Sequence, residues 1–274
     1  MPRSRRRGRR GVAAALTGLF LLALAAVAAP LLTPNPRTTD LDARLRPPSA
    51  AHPFGQDALG RDVLARVLGG ARVALGVAVV SVAISLALGV LLGALAGFAG
   101  GWVDVVVSRL VDVFLAFPGL LLAIALAAVL GPGIGNVVVA LSVLGWTGYA
   151  RLARGEVARL ARRDFTRAAR ALGATPTRIV GHHLLPLAAP ALLVQAAFGL
   201  SAAVIAEGSL SFLGLGAPPP DPTWGGMLDE GRQFLLVAPH LVVFPGLALA
   251  GTVLLFQLLG DALRDLLDVR DEPA

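Results

Sequence analysis

Six long stretches of this chain are apolar over most of their length: 11–32, 73–98, 105–131, 135–152, 187–206 and 239–260. A helix needs about 20 apolar residues to cross the hydrocarbon of a bilayer. Each stretch approaches that length. Backbone N–H and C=O groups find no water in hydrocarbon, so a crossing segment must bond to itself as a helix. Hydrophobic residues make up 56% of the chain and charged residues 15%, whereas a soluble domain is roughly half apolar and about a quarter charged. The pattern predicts an all-α integral membrane protein with six transmembrane helices. We expect a basic N-terminus over 1–10 and one membrane domain over 11–274, its core spans within about 73–265. A secretory signal competes for the first run, since an arginine-rich start is a mark of both; the length of the run favours a span.

Arginine placement gives the orientation. With the N-terminus inside, the inner segments hold sixteen arginines. Six lie in 3–10, eight between Arg151 and Arg178, and two at Arg264 and Arg270. The outer segments hold seven, largely offset by Asp40, Asp42, Asp57 and Asp62. Basic loops stay cytoplasmic, so both termini are expected inside. All 24 basic residues are arginine. Without a lysine the chain cannot form a G-x-x-x-x-G-K-[ST] nucleotide site. There are no cysteines, which excludes disulfides, thiol chemistry and cysteine-ligated metals. The basic charge points to membrane topology rather than nucleic acid, because no soluble domain is present to carry a binding face.

The longest inner segment, 154–185, carries a pattern beyond its charge. Apolar and small residues recur from Val157 through Leu160, Ala161, Ala168, Ala169 and Leu172 at helical spacing. Gly173 stands where a helix stop needs a left-handed residue. Thr175-Pro176 then reads as an N-cap followed by proline at the first helical position. A second short helix carries Ile179, Val180, His183 and Leu184, and Pro186 and Pro190 open the next span. Such a helix-turn-helix can rest on lipid headgroups or receive another protein against its small-residue stripe.

Residues 167–186, RAARALGATPTRIVGHHLLP, resemble the loop motif of ABC importer permeases: Glu-Ala-Ala, three residues, Gly, nine residues, an apolar position, any residue, Leu-Pro. Ala168, Ala169, Gly173, Leu185 and Pro186 fall in register. His183 takes the apolar position, and Arg167 replaces the leading Glu. HPFGQDALGRDVLARVLGGARVAL at 52–75, GFAGGWVD at 97–104, WTGYARLARGEV at 146–157 and AEGSLSFLGLGAPPPDPTWGGMLDEGR at 206–232 resemble the peptide/nickel branch of that family, in particular its second permease. The resemblance implies a type I importer permease fold. It implies a heterodimer with a second homologous permease, two cytoplasmic ATP-binding subunits that hold ATP and Mg, and an extracytoplasmic solute-binding protein. It implies a place in a bacterial inner membrane and no cofactor on this chain. Arg167, Ala168, Ala169, Leu172, Gly173, Arg178, His183, Leu185 and Pro186 would form the ATPase-docking loop.

Other residues stand out. Glu207, with Ser209 and Ser211, closes span five and is a candidate for the path or outer gate; a solvated helix end accounts for Glu207 equally well. The prolines of GAPPPDPTWGG at 216–226 forbid a continuous helix, and Trp224 reads as an interfacial anchor. Residues 53–72 read as an outer amphipathic helix across the membrane surface, with Asp62 four before Arg66. Arg109 and Asp112 share a helix face near the inner start of span three, as a local pair or by snorkelling. Gly89 and Gly93 give G-x-x-x-G spacing that permits close helix contact. Adjacent His182 and His183 cannot both face one metal from a regular helix. An ion-gradient transporter usually carries buried ionisable groups at mid-span, and almost none are present. A membrane enzyme needs a convergent set of reactive groups, and the acidic residues are scattered at segment edges.

Overall fold

The computed structural model describes residues 2–267; Met1 and 268–274, including Arg270, lie outside them. The chain is a helical bundle. In order it runs α1 (Pro2–Leu32), α2 (Val63–Ala99), α3 (Gly101–Leu115), α4 (Gly119–Leu130), α5 (Ile134–Ala161), α6 (Asp164–Ala171), α7 (Pro176–Arg178), α8 (Leu185–Phe212), α9 (Trp224–Arg232) and α10 (His240–Leu267). Four stretches of helix are long and apolar enough to cross a membrane: Gly8–Leu31, Val63–Ala99, Pro176–Phe212 and His240–Leu267. The bent pair α3 and α4 makes a fifth if counted as one span. α5 is the expected fourth span and runs beside α2. Arg151, Arg154 and Arg159 occupy its second half, so its apolar stretch is shorter than the others.

Glycines set the helix contacts. Along α2, a Cβ built on Gly89 falls 2.5 Å from the Trp146 carbonyl oxygen, and one built on Gly97 falls 2.5 Å from that of Arg154. One on Gly93 overlaps the Ala150 carbonyl. Positions rise together on the two helices, so α2 and α5 are parallel and nearly in backbone contact, as the G-x-x-x-G spacing predicts. Gly8 and Gly18 of α1 abut Leu266 and Leu255 of α10, an antiparallel pairing. Gly208 and Phe198 of α8 meet Leu249 and Gly260 of α10 in the same sense. Both ends of the described chain therefore lie at the end of the bundle that carries α6. We call this the arginine-rich end; α9 marks the opposite one.

Two expectations about spans are corrected. The third run is not a straight helix: α3 and α4 meet at 84°. Proline lacks an N–H and disfavours helical geometry in the residue before it, and Phe117-Pro118 ends α3 at that point. The amphipathic stretch 63–72 is not a separate surface helix. It is the first part of α2, which at about 1.5 Å per residue is some 55 Å long and outreaches the bilayer core. Asp62 caps it, accepting a 2.7 Å bond from the Ala65 N–H. Gly69 and Gly70 do not break it because Pro222 and Trp224 pack directly against them. Residues 53–62 form a turn closed by the Gln56–Asp62 bridge.

Candidate functional site

The arginine-rich end is built around α6. The expected helical face from Val157 to Leu172 is split: Val157, Leu160 and Ala161 belong to α5, and a new helix starts at Asp164. The break is held by the Leu160 carbonyl, which accepts from the Arg163 N–H at 3.1 Å and the buried Thr166 hydroxyl at 3.0 Å. Asp164 in the first turn and Arg170 in the last complement the helix dipole. Arg170 also lies over the Phe98 ring at 4.9 Å.

α6 stops as the glycine predicts. Gly173 has φ +81°; its N–H donates to Arg170 O and the Ala174 N–H to Ala169 O, both at 3.0 Å. These are the two bonds of a Schellman stop. Thr175 then accepts from the Arg178 N–H at 3.4 Å, with Pro176 at the first helical position. The second helix is not short, as expected. It runs unbroken from Pro176 to Phe212 through a π-helical turn, Ile179–Leu184, in which the Leu185 N–H donates to Val180 O. The wider turn comes immediately before Pro186, whose missing N–H and bulky ring disturb regular α winding.

Of the nine loop residues singled out, Arg167, Ala168, Leu172, Gly173, Arg178, His183 and Pro186 are exposed. Ala169 and Leu185 are half-buried and pack on a cluster of Val157, Leu160, Ile179 and Leu184. Leu172 is 89% exposed. Phe165, which the sequence did not single out, adds a second exposed apolar side chain beside it. Arg167 reaches Asp164 at 3.5 Å across solvent. Several other arginines serve the bundle itself. Arg154 forks onto Asp104, with Nη2 2.8 Å from Oδ2, and Arg151 approaches Asp112 at 3.9 Å. Asp112 therefore turns to α5 rather than to Arg109.

At the opposite end, residues 52–66 are locked to α9. Asp57 Oδ2 accepts from Arg61 Nε at 2.6 Å and Arg66 Nη1 at 2.5 Å. Glu230 Oε2 accepts from the same two arginines at 2.7 Å each. Both guanidinium groups are buried. Asp62 does not pair with Arg66 as its spacing suggested; it bonds His52 Nδ1 at 2.7 Å. Trp224 is fully buried rather than anchored at an interface. Its indole N–H donates to Val67 O at 2.9 Å, because Gly70 and Gly225 leave room for the ring and its helix. Glu207 is buried as well, accepting from the Ser211 hydroxyl at 2.7 Å. The Ser209 hydroxyl bonds back to Ile205 O.

Between α2, α4, α5 and α8 lies a cavity of about 310 Å³, which none of Glu207, Ser209, Ser211 and Trp224 lines. Its polar side chains are Ser81, Ser85, Tyr149 and Gln195. The chain's single tyrosine and a glutamine inside an apolar run were the available signals in the sequence. Towards the α9 end, Val77, Ala127, Val137, Ala140 and Leu210 close in a buried cluster.

Residues 89–270 match the profile of the binding-protein-dependent transport system inner membrane component. The chain belongs to this family. The permease is 47% identical to the glutathione transport system permease protein GsiD of Salmonella typhimurium over 96% of its own length and 88% of the relative's. It is 43% identical to the dipeptide transport system permease protein DppC of Alkalihalophilus pseudofirmus, over 93% and 85%. A chain of the inward-facing MetNI methionine ABC transporter superposes with a TM-score of 0.60 at 23% identity, covering 71% of this permease and 93% of that chain. The fold is that of a type I ABC importer permease, and the protein is a multi-pass membrane protein.

Proposed function

We propose that this permease carries peptides or peptide-like small solutes such as glutathione across a bacterial inner membrane, as one half of a heterodimer with a second homologous permease. Two ATP-binding subunits dock on the arginine-rich end and hold the ATP and Mg that drive the cycle. A solute-binding protein delivers ligand to the α9 end. Both termini are then cytoplasmic, and α5 counts as a span and brings the total to six. The chain performs no bond chemistry of its own and binds no cofactor. Glutathione and dipeptide relatives favour peptide over nickel as the ligand, and a family built on delivery by a binding protein leaves no need for an ion gradient.

The observation that carries the docking assignment is Leu172. An apolar side chain 89% exposed, on a helix stopped by Gly173 and braced against the bundle by Ala169, is shaped for a partner's groove rather than for water. Leu185 supports the loop from within; Arg167, Ala168, Arg178, His183 and Pro186 form its surface. Arg167 presents a cation where the family motif has Glu, so its contact on the ATPase is acidic or solvent-bridged. Glu207 and Ser211 act in the outer gate by holding the end of α8, and Trp224 by fixing α9 to α2. The test is co-purification in mild detergent. A second permease, two ATPase subunits and an associated binding protein support the assembly. A protein reproducibly free of any ATPase refutes it.

A further inference from the structure

The cavity between α2, α4, α5 and α8 has the chemistry of a ligand site. Its volume of about 310 Å³ lies at the lower edge of the roughly 300–1,000 Å³ of small-molecule sites. No charged side chain lines it. The Tyr149 hydroxyl is enclosed at the wall against Gly199, where any Cβ would collide with it, and it has no hydrogen-bond partner. A buried hydroxyl left unpaired carries a real cost. Gln195 is exposed on α8, and among the described residues its amide bonds to nothing. An unpaired amide does not face lipid tails, so this face of α8 looks onto water or a polar occupant. Ser81 and Ser85 donate their protons to the carbonyls of Val77, at 2.7 Å, and Ser142, at 3.4 Å. Their oxygens remain available as acceptors.

We infer that this cavity is an intramembrane subsite for an uncharged peptide group, in which Tyr149 and Gln195 donate to a ligand carbonyl and Gln195, Ser81 and Ser85 accept from a ligand N–H. The set offers both halves of what an amide needs and nothing that would trap a charged terminus. A ligand is thus recognised by its backbone and released, rather than held by an ion pair. The inference rests on the peptide reading above.

The experiment uses the complete transporter, with its second permease, ATPases and binding protein, in proteoliposomes. The probes are tri-L-alanine and the same tripeptide N-methylated at its two internal amides, which has the same net charge and no amide N–H. The ratio of their ATP-driven uptake rates is compared between wild type, Gln195→Leu and Tyr149→Phe, so that discrimination by the binding protein cancels. The expected result is a wild-type preference for trialanine that shrinks about three- to tenfold in Gln195→Leu, the scale of one lost hydrogen bond. Tyr149→Phe removes one oxygen and little volume, and keeps the test alive if Gln195→Leu fails to assemble. It should lower trialanine uptake by about the same factor. A wild-type ratio near one, or variants with wild-type ratio and wild-type trialanine uptake, overturns the subsite while leaving the transporter reading intact. Wild-type vesicles that take up neither probe in an ATP-dependent way overturn the peptide reading itself, and the inference with it.

Discussion

Replacing Gly173 isolates the shape of the loop from its contacts. Gly173 has φ +81°, and a Cβ built there meets nothing within 4 Å. Gly173→Ala therefore collides with no neighbour, and its cost is purely conformational. An L-residue held in the left-handed region costs about 1–2 kcal/mol. That shifts the balance between the stopped helix and its alternatives by about 5- to 30-fold. The residues that lose their placement are Leu172 and the Schellman bonds to Ala169 and Arg170; the buried cluster beneath is untouched. Gly173→Asn is the control, because Asn tolerates the left-handed region far better. The assay is ligand-stimulated ATPase activity and ATP-driven uptake in proteoliposomes, beside thermal stability in detergent. Gly173→Ala should lose several-fold in both activities and Gly173→Leu at least as much, with Gly173→Asn between Ala and wild type and all three inserting normally. Equal activity in all four proteins would show that the stopped helix plays no part in coupling.

Leu172→Ser should leave thermal stability within about 0.5 kcal/mol, as expected for an exposed site, while ATPase subunits co-purify less well; undiminished recovery would remove Leu172 from the interface. Gly93→Leu forces α2 from the backbone of α5, and overpacking of this kind typically costs about 1–3 kcal/mol. It should appear as a lowered melting temperature and poor recovery from the membrane. Asp57→Ala strips the shared carboxylate from two buried guanidinium groups. Breaking such a pair costs about 3–5 kcal/mol, so the 52–66 segment should become protease-sensitive, and resistance equal to wild type would count against the network.

What could be read from sequence and what could not divides along the reach of the interaction. The stop at Gly173 and the cap at Thr175-Pro176 are contacts between residues at most five apart, and local pattern carries them. The close approach of α2 to α5 was half legible: Gly89 and Gly93 announce a near neighbour without naming it. The bend after α3 had its signal in Phe117-Pro118-Gly119, but a hydropathy window averages over a proline. The length of α2 was hidden because Gly69 and Gly70 look like breakers until Pro222 and Trp224 are seen against them. The Asp57–Arg61–Arg66–Glu230 network joins residues up to 173 positions apart by number, so no local window contains it. Trp224 misled for a related reason: an indole after a proline-rich run suits a membrane interface equally well until the Val67 carbonyl accepts its N–H.

The two ends of the bundle are constructed differently, and the difference bears on how force reaches the middle. At the α9 end, two buried arginines paired with buried Asp57 and half-buried Glu230, and a buried tryptophan, fix 52–66, α2 and α9 as one block. At the arginine-rich end, α6 rests on α2 through Arg170 over the Phe98 ring and is attached through two further routes. One is the Thr166 hydroxyl on Leu160 O, which ties it to α5. The other is Ala169 and Ala174 against Ile179 and Leu184, which lead into α8 without a break. α5 carries Tyr149 and α8 carries Gln195, on two of the four helices that wall the cavity. A displacement imposed on Leu172 and its neighbours is therefore delivered to α5 and α8 as well as to α2. Beyond them lies the α9-end block, held by the ion pairs of Asp57 and Glu230 with Arg61 and Arg66, and the cavity sits between the two ends.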